Sequence, residues 1–304
     1  MNIRRFLAFL SIGTMLFSTS AFADEKRDEN INDVAVEAVT EIKSWSEYFV
    51  ISHACGAVDG RCETNSLEAF EQNYEKGQRV FEIDFSLTLD EKLVARHDFE
   101  QNSYYVMEQS YFSKVPVMMY DKFMNTPINY KYTPMDAAKI VELLKTHKDA
   151  YIVTDSKNTD KGTVEKEFLL LTEAIVKGGD AEVFDRVVVQ LYHPEMIQYV
   201  KNTGPYTNFM LTTYQIANPD FSVLSLFCKE NGVDAIVMPY EVLTKEKADT
   251  IHSAGLELYT HTVNRLYDTK KYMEMYGIDG IYSDIIVEED IKYITEKTTA
   301  ETVK

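Results

Sequence analysis

The chain has 304 residues, 45% of them apolar, with 31 lysines and arginines against 49 aspartates and glutamates and a formal charge of −18. Its 12 glycines, 7 prolines and 3 cysteines exclude a collagen-like repeat and a disulfide-stapled miniature, and the apolar content is too high for a disordered chain. The acid excess also excludes nucleic acid as a partner, because binding a phosphate backbone depends on clustered lysine and arginine that release counterions.

At the start of the chain, Arg4 and Arg5 precede an apolar run from Phe6 to Phe17, and Ala21-Phe22-Ala23 offers a small-x-small cleavage site before Asp24. Residues 1–23 read as an export signal. The run is too short to span a bilayer, which takes about 20 apolar residues, and no later stretch qualifies, so no transmembrane anchor is expected. The expected destination is a bacterial periplasm or the extracellular space, where disulfides persist. Cys55 and Cys62 lie close enough in sequence to close a small ring, with two free thiols as the alternative. Cys228, at helical spacing from Leu224, reads as a buried hydrophobe.

A charged lead-in over residues 24–47 gives way to short β-rich runs alternating with amphipathic stretches, and no long linker interrupts them. The strand candidates are Tyr48–Ala54, Val80–Thr88, Ala150–Lys157, Arg186–His193, Tyr206–Tyr214, Asp234–Tyr240, Leu256–Asn264 and Gly280–Ile286. Eight strands alternating with helices predict an α/β fold, a (β/α)8 TIM barrel over residues 48–290 with a helical tail at 291–304. Helix boundaries are expected at Asn65 with Glu68 as a capping box, at Thr133-Pro134 as cap and first turn, and at Gly77, Gly178 and Gly255 as stops. An aromatic- and methionine-rich insertion at 99–132 follows the second strand. It is expected to bury its own aromatics, and in a sharper reading to wall or lid a substrate pocket at the barrel mouth.

The second strand, Val80-Phe81-Glu82-Ile83-Asp84-Phe85, alternates apolar and acidic residues. Side chains two apart share a face, so Glu82 and Asp84 stand together, about 6.6 Å apart along the backbone. The apolar face must meet the helices, which turns both carboxylates into the barrel. Repulsion and lost hydration there call for a compensating charge, and a hard divalent cation with oxygen ligands supplies it. The third strand repeats the pattern with Asp155 and Lys157, the acid able to join the ligands and the lysine able to hold an anion. His53 ends the first strand and His97 closes the run Leu93–His97, which brings two of six histidines to the same mouth.

These residues resemble a family. His53, Asn65-Ser66-Leu67-Glu68, Glu82-Ile83-Asp84 and His97-Asp98, followed by Asp155-Ser156-Lys157, Thr262-Val263-Asn264, Gly277-Ile278-Asp279-Gly280 and Ser283-Asp284, are similar in order to the glycerophosphodiester phosphodiesterases. The resemblance spans roughly 48 to 290. It implies metal-dependent cleavage of a small-molecule phosphodiester, with His53 and His97 as acid and base, and Glu82, Asp84 and Asp155 as ligands of Ca2+ or Mg2+. Lys157 would stabilise transition-state charge, and the attacking oxygen would come from water or from a substrate hydroxyl. The chain departs from the pattern in Ala54 for the usual arginine, Thr64 for glutamate and His261 for tryptophan. His261 is a candidate substrate contact, with a role behind the contacting residues as the alternative. His193 is a weaker candidate of the same kind, and His147 and His252 are expected to be exposed on helices. Two further functions compete: phospholipase-like cleavage of intact lipid by internal cyclisation, with a lipid surface as partner, and a non-catalytic barrel binding sugar or glycerol phosphates. The oligomeric state has no sequence signal.

Overall fold

Strands covered on both faces need apolar residues at nearly every position, and the β-rich runs of this chain meet that demand. The computed structural model describes residues 43–302, so the export signal and most of the charged lead-in lie outside the described residues. The elements are β1 (Val50–Ser52), α1 (Leu67–Glu75), β2 (Val80–Leu87), β3 (Leu93–Ala95), α2 (Gln101–Val106), α3 (Tyr120–Met124), α4 (Ala137–Thr146), β4 (Tyr151–Asp155), α5 (Lys161–Gly178) and β5 (Val187–Leu191). There follow α6 (Met196–Lys201), β6 (Asn208–Thr212), α7 (Phe221–Asn231), β7 (Ala235–Pro239), α8 (Lys245–Ser253), β8 (Glu257–His261), α9 (Leu266–Tyr276), β9 (Gly280–Ser283) and α10 (Glu288–Thr302).

β1 pairs in parallel with β2 on one side and with β9 on the other, so the sheet closes on itself. β3 pairs antiparallel with β2 alone, matching Phe85 with Ala95, and stands outside the ring. The remaining eight strands, all parallel, form the expected (β/α)8 barrel, and each lies inside its predicted run. Two apolar cores follow from the two faces of each strand. Phe81, Ile83 and Phe85 join the large core under the helices, while Ile51, Val80, Val153, Val188, Met210, Val237 and Tyr259 fill the interior. Trp45, on a 3-10 turn (Trp45–Glu47) just before the expected barrel start, joins that interior core with its ring 5.8 Å from Tyr259.

Inward residues change character along each strand. β2 presents Val80, then Glu82, then Asp84, and β4 presents Tyr151, Val153 and Asp155, so apolar side chains pack the N-terminal end and acids collect at the C-terminal mouth. The register pairs Asp84 with Asp155 directly.

Two expected helix starts are corrected. Ser66, not Asn65, caps α1 by accepting from Ala69 N, and Glu68 turns away to accept from the Thr133 backbone and hydroxyl. Asn65 adopts a left-handed φ of 49° and faces the barrel instead. α4 begins at Asp136, which accepts from Lys139 N, because a side-chain carboxylate at that position satisfies an orphan donor that Thr133-Pro134 leaves alone. Gly77 and Gly255 follow their helices at left-handed φ as expected, whereas Gly178 is the last residue of α5 and Gly179 takes the left-handed turn. Cys55, Cys62 and Cys228 are free thiols, with Cys55 and Cys228 buried.

The insertion holds α2 and α3 and buries Tyr104, Met118 and Phe123 against Val94 of the hairpin. Arg96 ties it down: its guanidinium lies over the rings of Tyr104 and Phe99 and donates to Gln109 Oε1. That anchor immediately precedes His97.

Candidate active site

The barrel register places Glu82, Asp84 and Asp155 with one oxygen of each within 4.8 Å of the others, and all three are buried. Asp84 is held twice by Asn65, whose Nδ2 donates to Oδ2 at 2.7 Å and whose Oδ1 accepts from Asp84 N at 2.9 Å. Glu82 Oε2 accepts from Ala54 N at 2.6 Å, a contact made by the tight turn in which Ala54 and Cys55 adopt φ of 46° and 69°. Asp155 Oδ1 accepts from the Tyr192 hydroxyl. Lys157, itself at a left-handed φ, donates to Asp84 Oδ1 and, at 2.8 Å, to Asp155 Oδ2.

One ammonium does not balance three carboxylates in a site this dry. Glu82 Oε1 is buried with no hydrogen-bond partner among the described residues. Burial, and then the charge of Asp84, push Glu82 up to about 8. Burial also acts to raise Asp84, but the charges of Lys157, His97 and His53 outweigh it and hold that carboxyl below its ordinary value. An orphaned oxygen beside two further carboxylates fits a hard divalent cation.

Each mouth histidine is held by a carboxylate. His53 Nδ1 lies 2.8 Å from Asp284 Oδ1, and Asn264 fixes Asp284 through Nδ2 to Oδ2 at 2.6 Å and through Oδ1 from Asp284 N at 2.9 Å. His97 Nδ1 lies 2.5 Å from Asp98 Oδ2. A carboxylate at Nδ1 fixes the proton there and leaves Nε2 as the free nitrogen of each ring. Burial works against a charge on His53, but the Asp284 hydrogen bond and the charges of Glu82, Asp284 and Asp84 prevail and raise it to about 10.

The sequence profile of the Glycerophosphoryl diester phosphodiesterase family matches residues 56–288. The chain belongs to that family. Solved structures agree on the fold: a glycerophosphodiester phosphodiesterase from Parabacteroides distasonis is 16% identical with a TM-score of 0.64, covering 83% of this chain and 98% of its own. A phosphodiesterase from Oleispira antarctica, solved in complex with the product sn-glycerol-3-phosphate, is 14% identical with a TM-score of 0.63, covering 81% and 96%. One from Thermotoga maritima is 15% identical with a TM-score of 0.58, covering 81% and 98%. No curated protein matches significantly in sequence.

In this phosphodiesterase, His53, Glu82, His97, Asp155, Lys157 and His261 all line one mouth cavity of about 170 Å³, and Asp84 lies just behind them. Gln190, Tyr192, Thr212, Tyr214 and Tyr282 complete the lining. Period-two alternation carried past the apolar part of each later strand would have found them: Val188 leads to Gln190 and Tyr192, and Met210 to Thr212 and Tyr214. Tyr282 donates to Gln190 Oε1 at 2.6 Å across the barrel. Where the family pattern has tryptophan, the His261 ring meets Tyr214 and Tyr282 edge-on at 6.2 and 6.1 Å, and burial, then the His53 charge, lower its pKa.

His193 is half-buried and does not line the cavity. His147 and His252 are half-buried rather than exposed, because His147 Nε2 pairs with Glu71 at 3.2 Å and His252 Nε2 with Asp279 at 2.9 Å. No residue of the insertion lines the cavity. Phe99 and Val117 instead wall a neighbouring groove.

Proposed function

We propose that the protein hydrolyses glycerophosphodiesters to glycerol phosphate and an alcohol, using a divalent cation, Ca2+ or Mg2+, held by Glu82, Asp84 and Asp155. The observation that carries this reading is the convergence of two carboxylate-backed imidazoles, a lysine and a buried acid triad on one cavity. A binding barrel has no need of two imidazoles each oriented through Nδ1. A cation bound there supplies charge withdrawal from the non-bridging phosphate oxygens. Lys157 stands beside the triad to stabilise charge that grows in the transition state. One imidazole accepts the proton of the attacking hydroxyl through Nε2, and the other returns a proton to the departing alkoxide. The carboxylates at Nδ1 hold both rings in the orientation and tautomer that these transfers need. Charge balance also relieves His53, since a cation offsets Glu82 and Asp84, two of the groups that retain its proton.

The same site admits attack by a neighbouring substrate hydroxyl, which gives a cyclic phosphate first. Phosphorus NMR on glycerophosphodiesters with Ca2+, Mg2+ or Mn2+ separates the routes by the presence or absence of a transient cyclic diester. Turnover is expected with at least one ion, to stop on chelation and to return when the ion is restored. No turnover with any of the three ions would overturn the reading. We also infer, from the residue 1–23 pattern alone, that the enzyme acts after export to a periplasm or beyond it.

A further inference from the structure

His97 is the less enclosed of the two mouth imidazoles. Its side chain is 42% exposed against 23% for His53, and it stands on a stretch outside any strand or helix. Packing does not fix the ring, so its aim depends on Asp98, whose Oδ2 meets Nδ1. Three groups hold Asp98 in turn. Glu100 N donates to its Oδ1 at 2.7 Å, the Ser103 hydroxyl of α2 donates to the same carboxylate, and Arg96 Nε donates to its backbone carbonyl. The first two belong to the insertion, and the third is locked into it. Arg96 N donates to the Asp84 carbonyl and Ser86 Oγ to the Arg96 carbonyl, both at 2.9 Å, which seats the Arg96 backbone on β2. Its guanidinium lies 4.5 Å from the Tyr104 ring and 4.9 Å from that of Phe99, and Nη1 donates to Gln109 Oε1 at 2.9 Å. Gln109 is oriented by its Nε2, which donates to the Thr126 and Pro127 carbonyls at 3.3 and 3.2 Å. Arg96 is 4% exposed, and among the described residues no carboxylate hydrogen-bonds to its guanidinium. A buried cation without an anionic partner is costly, and an apolar side chain would pack against two rings at less cost. The bonds that its fork of donors makes, to Asp98 on one side and Gln109 on the other, account for its presence.

We propose that Arg96 is a positioning residue for proton transfer at His97, and that the aromatic insertion is the platform from which it acts. The inference rests on the hydrolase reading, in which His97 moves a proton through Nε2. Gln109 holds the guanidinium, the guanidinium holds the Asp98 carbonyl, and the Asp98 carboxylate holds His97 Nδ1. Without the guanidinium the Asp98 backbone is freed on one side, its carboxylate shifts, and the imidazole loses the acceptor that sets its orientation. A misplacement of about 1 Å costs on the order of 10²-fold in rate. The insertion thereby serves the chemistry although it contributes no residue to the cavity.

The test is a double-mutant cycle on the metal-loaded protein with a glycerophosphodiester as substrate. Arg96→Met keeps an apolar stem against the two rings and removes the donors. It should lower kcat by about 10²-fold, with KM and the metal affinity measured by calorimetry near the parent values. In the His97→Ala background the same change should cost less than about twofold, because no ring is left to position. Gln109→Ala, which frees only Nη1, should cost about fivefold and should likewise lose its effect on His97→Ala; it carries the cycle if Arg96→Met fails to fold. The NMR shifts of the His97 ring nitrogens give a readout free of turnover. The neutral ring is expected as the Nδ1–H tautomer in the parent, and shifted in either variant toward Nε2–H, the form a free imidazole prefers in water. Unchanged kcat in Arg96→Met, or losses that multiply with His97→Ala, overturns the proposal. A fall in metal affinity that matches the fall in kcat overturns it as well, since Arg96 would then act on Asp84. If the parent turns nothing over, the hydrolase reading fails by itself, and the tautomer decides the anchor: a His97 ring unaltered in both variants rejects it.

Discussion

At the scale of single residues the site is a problem in charge. Three buried carboxylates face one lysine, and the surplus is met by hydrogen bonds from Asn65, Ala54 N and Tyr192, with Glu82 Oε1 left over. Glu82→Gln removes a charged oxygen without changing shape, so metal affinity measured by calorimetry should fall by tenfold or more, with folding retained. His53→Ala and His97→Ala should each lower kcat by about 10²- to 10⁴-fold while sparing metal binding, the range that general acid and base catalysis contributes. Unchanged turnover in either would remove that residue from the mechanism. Glu167 yields a different readout, because burial raises its pKa to about 8 against the ordinary 4.5. The folded protein therefore binds this proton more tightly than the unfolded chain, and stability falls as pH rises from about 4.5 to about 8. Glu167→Gln removes that dependence, so its melting temperature relative to the parent should climb between pH 5 and pH 8. A constant difference across that range would show that Glu167 is already ionised in the fold.

Elements turn these residues into a site, and they also mark how far sequence alone reaches. The acids of β2 and β4 were legible because alternation within a strand is local: Phe81 and Ile83 on one side fix Glu82 and Asp84 on the other. Asn65 fits a helix-cap pattern, but the left-handed φ that swings it from α1 toward Asp84 leaves no mark in such a pattern. Asp284 and Asn264 were visible as motif residues, but the His53–Asp284 pair joins positions 231 apart, and only barrel closure through β1 and β9 brings them together. That closure is tight at Gly280, where an added Cβ would lie 2.2 Å from the Tyr259 ring and 2.8 Å from the Phe49 carbonyl. Neither neighbour can withdraw, since Tyr259 is fully buried and the carbonyl belongs to the adjoining strand's lead-in. Gly280→Ala should thus cost about 1–3 kcal/mol by overpacking, and urea unfolding should show an earlier midpoint. An unshifted midpoint would mean that β9 and β1 can separate without penalty.

Across the whole molecule, stability and chemistry occupy opposite ends of one barrel. Inward side chains are apolar where the strands begin and polar where they end, so the N-terminal layers carry packing and the C-terminal mouth carries charge. Trp45 is the clearest member of the first group. It is buried in the interior core against Tyr259, on a turn that precedes β1, and it does not line the mouth cavity. Truncating it opens a large void that the surrounding strands, fixed by their hydrogen-bond ladders, cannot collapse to fill. Trp45→Ala should therefore destabilise the fold by about 3–5 kcal/mol while leaving kcat and KM at low temperature near the parent values. Denaturant titration reads the first effect and steady-state kinetics on a glycerophosphodiester the second. A large fall in kcat with stability intact would mean that the two ends are coupled, and that the interior layers transmit strain to the acids at the mouth.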